Sequence, residues 1–539
     1  MSVTSATPRR LAALGCAALL APTLAACGSV QGGAAATGNG ITMGSVRAFE
    51  SLDPADAYDN GSWTVFYNIY QTLMTFQPGA TTPTPDAATS CEFTDSGLTT
   101  YSCTLRSGLR FSNGDALDAA AVKYSFDRML RLNPVNGSGF GPGPLVWNIA
   151  SVATSGSTGV TFHLRKPDAT FPDEIASGAG SIVDPKVFPA DKPYDGTSPV
   201  GSGVYKVDSA ATRTVDGSTQ GTSITLSANS AYQGAASTPQ NSAFTFRYYD
   251  TPQQLLAAAK AGKVDIAGDD LDPSDVSELQ NQQQVGKGLQ VQSGASAQIR
   301  LLVLDHRAKP FDDPAVRRAA ASLIDQNALA TGAEHDLVDP LYSVVPSGIG
   351  GHTTPFRDTY QSPDPVEARQ ELRSAGISAP VSFTLTYSRD IAGSQAEAEE
   401  LRQQLENGGL FHVTLRAVDN TRALETGFKK DAYQAFTGNW YSDYPDAADS
   451  IAPLFGAYNI HYSSPALNSD LNRAAGDKDR TVANKPFAAA QQQIADDAVM
   501  VPLWQNKQFM AVQPDITGVP LTLDVTAMFR AWLIGKTTS

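Results

Sequence analysis

The sequence predicts an α/β fold built from several units, and three observations indicate it. The chain has 539 residues, and a domain takes about 100–200 residues, so three or so folded units are expected. Apolar residues make up 42% and charged residues 17%, which supplies a large core without the composition of a disordered chain. Short strand patterns alternate with helical patterns along much of the chain, which is typical of α/β units.

Strand and helix patterns follow one another from residue 41. Several helix starts carry Asp or Thr at the N-cap, as at Asp118 and Thr251, and Ser394 with Glu397 is expected to form a capping box. The predicted strands are 41–46, two strands within 91–111, 160–164, one that begins near 204, 264–266, 383–385 and 413–415. The predicted helices are 63–76, 118–130, 252–261, 314–324, 365–375 and 394–407.

The N-terminus has the features of an export signal. Arg9 and Arg10 precede the apolar run LAALGCAALLAPTLAA at 11–26, which is too short to span a membrane comfortably and has the length of a secretory signal. The run ends in L-A-A-C-G, which resembles a bacterial lipobox and implies that Cys27 is diacylated; ordinary signal cleavage is the alternative. We therefore expect a lipoprotein signal peptide at 1–26 and a flexible tether at 27–40.

Two of the four cysteines, Cys91 and Cys103, would face an oxidising compartment after export. They flank the turn residues D-S-G at 95–97 between two strand patterns, so a hairpin about that turn brings the thiols opposite each other. A disulfide there would add about 2–3 kcal/mol. A free pair or a metal site is the less favoured alternative, because the sequence has no second CxxC-type ligand pair.

Charge and motifs exclude several classes of function. The formal net charge is −15, which argues against a nucleic-acid partner because phosphates are neutralised by Lys and Arg. The sequence lacks G-x-S-x-G, S-x-x-K, H-E-x-x-H and Walker patterns, and no pair among its six histidines has metal-ligand spacing on a helix. We expect no enzyme activity, no cofactor and no metal site. An extracellular hydrolase stays as the alternative class.

Sequence blocks that run in order over nearly the whole mature chain resemble one protein family. The blocks are SLDP at 51–54, NIYQTL at 68–73, LRSGLRFSNGD at 105–115, AVKYSFDR at 121–128, PVGSGVYKV at 199–207, PFDD at 310–313, VRRA at 316–319, LID at 323–325 and NWYSDYPD at 439–446. On these blocks the chain is similar to the extracellular solute-binding proteins of the peptide/nickel type, the oligopeptide- and dipeptide-binding lipoproteins of bacterial ABC importers.

The resemblance implies an α/β, two-lobed periplasmic-binding-protein-like fold of type II, in the large peptide-binding class, with an extra subdomain and a hinge between the lobes. Lobe 1 (domain I) would take residues 41–76, 199–290 and 505–539. The inserted subdomain (domain II) would take 77–198, and lobe 2 (domain III) would take 291–504. A ligand would be enclosed between the lobes as they close.

The same resemblance implies the function. The chain would be the substrate-binding lipoprotein of an ABC importer, a monomer that captures short peptides in the interlobe cleft and delivers them to the permease subunits. It would be extracytoplasmic, held at the outer face of the cell membrane by the lipid on Cys27. The same scaffold binding another solute, such as a metal chelate or an oligosaccharide, stays open as an alternative.

Candidate ligand-binding residues also come from the resemblance. In peptide-binding members the Asp three residues after a Trp holds the α-ammonium, and here these are Asp443 and Trp440. Asp443 as a turn residue before Pro445 is the alternative, and Asp446 is the competing carboxylate. Trp440 and Tyr444 would flank the ligand, and Tyr58, Trp63 and Tyr67 belong to the block that faces the cleft in relatives. For Trp440, core packing is the alternative.

One position departs from the pattern. Some oligopeptide-binding members carry an Arg three residues before the Trp, where it helps to hold the peptide's carboxyl end, and this chain has Thr437 there. The remaining candidates for that role are Arg389, Arg416, Arg422 and Lys429, and the sequence singles out none of them.

Overall fold

The computed structural model describes residues 40–134, 141–215, 217–268, 270–360, 363–430, 433–455, 462 and 464–537, so the predicted signal and Cys27 lie outside the described residues. The strands are β1 (Gly40–Ser45), β2 (Met74–Thr75), β3 (Thr84–Pro85), β4 (Ala88–Phe93), β5 (Thr100–Leu105), β6 (Ile149–Ser155), β7 (Gly159–Leu164), β8 (Tyr205–Val215), β9 (Ser218–Ala228), β10 (Ala243–Tyr248), β11 (Ile266–Ala267), β12 (Gln290–Leu304), β13 (Val338–Pro340), β14 (Val381–Ser388), β15 (Phe411–Val418), β16 (Ala435–Tyr441), β17 (Met500–Val512), β18 (Ile516–Thr517) and β19 (Gly535–Lys536). The α-helices are α1 (Asn60–Ile69), α2 (Ala119–Leu132), α3 (Phe171–Glu174), α4 (Pro252–Lys260), α5 (Pro273–Gln284), α6 (Pro314–Ala321), α7 (Gln326–Gly332), α8 (Pro355–Tyr360), α9 (Pro365–Ser374), α10 (Ser394–Glu406), α11 (Thr421–Lys429), α12 (Ala447–Phe455), α13 (Pro465–Ala475) and α14 (Arg480–Asp497).

A large mixed sheet runs through the described part of the chain. Its strand order is β15-β14-β16-β12-β17-β11-β1-β10-β9-β8, with β13 also paired to β17. The pairs β14–β15 and β1–β10 are parallel, whereas β12 is antiparallel to both β16 and β17. The sheet therefore combines α/β crossover units with antiparallel hairpins, in agreement with the predicted α/β class.

Strands β12 and β17 join the two halves of this sheet. The first half of β12 pairs with β17 from Gln290 to Ala295, and its second half pairs with both β17 and β16. The register of β12 against β17 shifts between Ala295 and Ile299. Such irregularities bend a strand and raise its twist, which lets the two halves of the sheet take different orientations.

A separate four-stranded antiparallel sheet, in the order β4-β5-β7-β6, lies between residues 88 and 164. Helix α2 packs against it with the apolar face predicted from Val122, Phe126 and Met129, and Asp118 caps this helix. Cys91 and Cys103 are direct cross-strand partners in β4 and β5 and form a disulfide in the structure.

Two local predictions were wrong. The helix predicted over 63–76 is α1, which starts after the N-cap Asp59 and stops at Ile69. The apolar spacing continues past Ile69 because Leu73, Met74 and Phe76, in and beside the short strand β2, are also buried.

The predicted capping box at α10 does not form. Gly393 is the N-cap, Ser394 Oγ donates to the Ser388 carbonyl, and Glu397 pairs with the buried Arg300. A buried guanidinium requires a carboxylate partner, and this requirement determines the position of the Glu397 side chain.

The buried apolar residues form three large clusters. One is built from residues 297–504 with Val525, one from residues 55–182 with Tyr444 and Met528, and one from residues 41–70, 183–266 and 510–534. The domain boundaries given above stay a prediction. Among the described residues, no helix combines the length and the apolarity needed to cross a membrane.

Candidate functional site

A cleft lies where the two halves of the large sheet meet. Its walls come from β1, α1, β10, β17, residues 522–529 and the segment that ends β16. Of the six predicted ligand-binding residues, Trp63, Tyr67 and Asp443 line this cleft.

The side chain of Asp443, which lies just beyond the end of β16, contributes a carboxylate to this cleft. Its Oδ2 accepts a hydrogen bond of 2.5 Å from the hydroxyl of Tyr58, and its backbone N–H donates to Oδ2 of Asp449 at 2.6 Å. Burial raises the pKa of Asp443 to about 7, and the Tyr58 hydrogen bond opposes that rise. A carboxylate in this environment is stabilised by a cationic partner such as an ammonium.

Asp449 holds the backbone that presents Asp443. It is fully buried, and burial followed by the nearby Asp443 charge raises its pKa well above the usual range. Its backbone carbonyl accepts from Trp440 Nε1 at 3.1 Å. Asp449 therefore acts on the cleft through the geometry of the segment, and Trp440 is tied to the same residue.

Asp446 has a different environment. Both of its carboxylate oxygens contact the guanidinium of Arg480, at 2.7 and 2.9 Å, and Oδ1 also accepts from the backbone N–H of Ala448 at 2.8 Å. These bonds use its acceptors on partners within the fold. Asp446 does not line the cleft.

The predicted aromatic residues of the N-terminal block lie in a row beside Asp443. The ring centroids of Tyr58 and Trp63 are 5.5 Å apart, and those of Trp63 and Tyr67 are 6.2 Å apart. Trp63 Nε1 donates to the carbonyl of Ala57 at 3.2 Å, which fixes the indole. Burial, followed by the charge of Asp443, raises the pKa of Tyr67, so its hydroxyl stays protonated. The row forms a rigid apolar wall with hydroxyl groups along it.

Trp440 and Tyr444 lie apart from this cleft. Trp440 is half-buried and, with Tyr58, lines a neighbouring cavity between β16 and α11. Tyr444 is buried in the apolar cluster of residues 55–182, with its hydroxyl 3.5 Å from that of Thr170. Tyr444 therefore anchors the Asp443 segment to another part of the chain.

The sequence reasoning missed several polar residues of the cleft, including an arginine, a tyrosine and an aspartate. Arg47, Tyr248 and Asp270 all line it, and Arg47 Nε contacts Asp270 Oδ1 at 2.7 Å. Arg47 directly follows the predicted strand 41–46, whereas the strand that Tyr248 ends, β10, was not predicted. Their approach depends on the parallel pairing of β1 with β10, which brings Ser45 opposite Tyr248.

Comparison with known proteins identifies similar chains. The family described as bacterial extracellular solute-binding proteins, family 5 Middle, matches residues 82–462. The glutathione-binding protein GsiB of Salmonella paratyphi A is 28% identical over 530 residues, covering 95% of this chain and 96% of that protein.

Two solved structures show the same fold at low sequence identity. The periplasmic binding protein DppA of Helicobacter pylori, in complex with the peptide STSA, has a TM-score of 0.75 at 19% identity and covers 93% of this chain and 99% of its own. NikA of Staphylococcus aureus, in complex with Ni(L-His)2, has a TM-score of 0.72 at 17% identity, with coverage of 93% and 100%.

Proposed function

Because the chain belongs to family 5 of the bacterial extracellular solute-binding proteins, we propose that it captures a short peptide in the cleft around Asp443 and delivers it to the permease of an ABC importer. The chain is a solute-binding protein of an ABC importer, with the two-lobed fold of that class, and it is not an enzyme. What we propose beyond family membership is that the ligand is a short peptide and that the residues around Asp443 bind it.

The position of Asp443 carries the proposal. A peptide offers an α-ammonium whatever its sequence, and a buried carboxylate gains a charge-assisted hydrogen bond from such a group. Asp443 lines the cleft beside Trp63 and Tyr67, and burial holds its pKa near 7 in the absence of a cation. An ammonium ligand would relieve the cost of that buried charge, which gives the site a preference for cations.

The aromatic residues have two roles in the proposal. Tyr58, Trp63 and Tyr67 provide the wall against which the peptide lies, and Tyr58 also orients the Asp443 carboxylate. Trp440 and Tyr444 hold the segment that carries Asp443, Trp440 through the Asp449 carbonyl and Tyr444 through its packing.

The names of the similar proteins are compatible with a short peptide. GsiB is named for glutathione, which is itself a tripeptide, and the DppA structure contains the peptide STSA. NikA contains a nickel–histidine complex, so a metal chelate is the competing ligand class.

The test of Asp443 uses a matched pair of variants. Asp443→Ala should weaken binding of a tripeptide library at least tenfold, about 1.4 kcal/mol, because the ammonium loses its carboxylate. Asp446→Ala removes a carboxylate three residues away that is already paired with Arg480, and it should leave affinity within about twofold. Calorimetric titration of both variants decides the matter, and unchanged affinity in Asp443→Ala contradicts the assigned role.

The proposal also includes the membrane anchor. The lipobox-like sequence before Cys27 supports a lipid-anchored protein at the outer face of the cell membrane. In cells, Cys27→Ala should lose incorporation of a labelled fatty acid, and the protein should leave the membrane fraction. Labelling that persists in the variant would rule out Cys27 as the site. We further propose that the protein works as a monomer.

A further inference from the structure

Arg47 supplies positive charge to the cleft that contains Asp443. It lies two residues beyond the end of β1, and its side chain is 43% exposed. It lines the Asp443 cleft and also the two adjoining cavities that open beside β1. A guanidinium in this position can contact a ligand that enters from any of the three.

The orientation of Arg47 is fixed by a buried carboxylate. Asp270 is 3% exposed at its side chain, and its Oδ1 contacts Arg47 Nε at 2.7 Å. The other oxygen, Oδ2, accepts from Ser45 Oγ at 2.6 Å and from the backbone N–H of Val46 at 2.9 Å. Two adjacent residues at the end of β1 thus hold the Asp270 carboxylate, which in turn orients the Arg47 guanidinium. A binding site for an anion needs such preorganisation.

Tyr248 adds a second, independent observation. Its hydroxyl oxygen is buried, lines the same cleft and has no hydrogen-bond partner within the part of the chain that the structure describes. Burial, followed by the charges of Asp59 and Asp270, raises its pKa, so the group remains an O–H donor. A buried donor without an acceptor costs free energy, and a ligand oxygen at this position would remove that cost.

The four cations that the sequence offered for the carboxyl end of a peptide have surroundings different from those of Arg47. Arg389 pairs with Asp419 on the exposed surface, and the guanidinium of Arg416 lies 4.5 Å from the ring centroid of Tyr433. Arg422 is exposed on α11, and Lys429 lines the cavity beside Trp440 instead of the Asp443 cleft. Of the five, only Arg47 lines the cleft with Asp443.

We propose that the Arg47 guanidinium and the Tyr248 hydroxyl bind a carboxylate of the ligand, so that the cleft selects short zwitterionic peptides with a free C-terminus. The inference rests on the proposed function, in which Asp443 takes the ammonium end. Arg–carboxylate contacts combine charge with directional N–H donors, and the tyrosine O–H adds a further donor from the side of β10. The competing explanation is that Arg47 serves only to neutralise Asp270.

The probe is an equimolar tripeptide library in three forms: unmodified, N-acetylated and C-terminally amidated. Apparent affinities are measured by thermal-shift titration of the mature chain and of Arg47→Gln, Tyr248→Phe and Arg389→Gln. The parent protein should bind the unmodified form at least tenfold more tightly than the amidated form. Arg47→Gln should reduce that preference to at most about twofold, Tyr248→Phe should reduce it partly, and Arg389→Gln should leave it unchanged.

Each result separates the inference from the function on which it rests. If the affinity of the parent protein falls tenfold for the N-acetylated library and does not fall for the amidated library, the Asp443 site is supported and the carboxylate site is overturned. An Arg47→Gln variant that retains the full preference also overturns it, as does loss of the preference in Arg389→Gln. If Arg47→Gln does not fold, Tyr248→Phe decides, and an unchanged preference there contradicts the proposal. No binding of any form would overturn both statements.

Discussion

The charges that line the cleft and a charged pair buried elsewhere in the fold differ in the partners that surround them. Asp53 and Arg128 form a bidentate pair, at 2.7 and 2.5 Å, and Asp53 also accepts from the backbone of Ala55 and Tyr194. In the cleft, by contrast, Asp443 faces a cavity beside a tyrosine, and Arg47 is 43% exposed. We expect the paired charges within the fold to act on stability, and we propose that the charges that line the cleft act on ligand binding.

The largest effect is expected at the saturated pair. Asp53→Ala leaves the buried Arg128 guanidinium without its carboxylate and should lower the free energy of unfolding by about 3–5 kcal/mol. Asp127→Ala is the matched control, because Asp127 pairs with Lys123 on the exposed face of the same helix and should cost at most about 0.5 kcal/mol. Urea denaturation measures both, and a cost below about 1 kcal/mol for Asp53→Ala would break the comparison.

A smaller effect on stability is expected at Asp446, which is paired but lies near the cleft. Asp446→Asn weakens its ion pair with Arg480 and should lower the free energy of unfolding by about 1–2 kcal/mol, with peptide affinity unchanged. Thermal denaturation measures the loss of stability, and a binding titration measures the peptide affinity. Lost affinity with unchanged stability would transfer the ligand role from Asp443 to Asp446.

An effect of similar size is expected to depend on pH. The pKa of Asp443 is raised from 3.8 to about 7, so the folded protein holds this proton more tightly than the unfolded chain does. Its contribution to stability is therefore present below pH 4 and is lost as pH rises through about 7. Asp443→Asn should match the ligand-free parent near pH 4 and exceed its stability by about 1–2 kcal/mol at pH 8.

The pKa of the neighbouring Asp449 is raised as well, and the charge of Asp443 contributes to that rise. Asp443→Asn removes this charge, so it also lowers the cost of ionising Asp449 at high pH. Thermal melts of both proteins from pH 4 to pH 8 give the difference, and a gap that does not change with pH would contradict the raised pKa. Peptide affinity of the parent should fall as pH drops below 7, because Asp443 then carries a proton.

Much of the fold followed from local patterns. The N-caps at Asp118, Thr251, Asp313 and Asp364 were visible in the sequence and cap helices in the structure. The errors arose where tertiary contacts overrule local pattern, as at Glu397, whose carboxylate pairs with the distant Arg300 and does not cap its own helix. A contact over 97 residues leaves no local signal.

The sequence blocks that carried the resemblance are largely structural. Asp53 lies in the SLDP block and Arg128 ends the AVKYSFDR block, and the two residues form one buried ion pair. The same holds for Arg317, which bonds the carbonyls of Phe311 and Asp497. Matching these blocks therefore identifies the fold, and the ligand contacts must be found from the cavity.

The site could be predicted only in part for the same reason. Trp63, Tyr67 and Asp443 line the cleft as expected from their blocks, although their ligand role stays a prediction. Arg47 and Tyr248 are separated by about 200 residues and meet only through the register of β1 with β10. The proposed preference for a free carboxylate therefore depends on a strand pairing that no sequence motif indicates.

The most direct test of the central claim is retention of a ligand by the cleft. The soluble chain starting after Cys27 is incubated with a tripeptide library, exchanged into volatile buffer and examined by native mass spectrometry, and bound compounds are then released by denaturation. We predict that short peptides with free ends remain bound and are lost from Asp443→Ala. Retention of no peptide, or of a single non-peptide compound that the library cannot displace, would contradict the account.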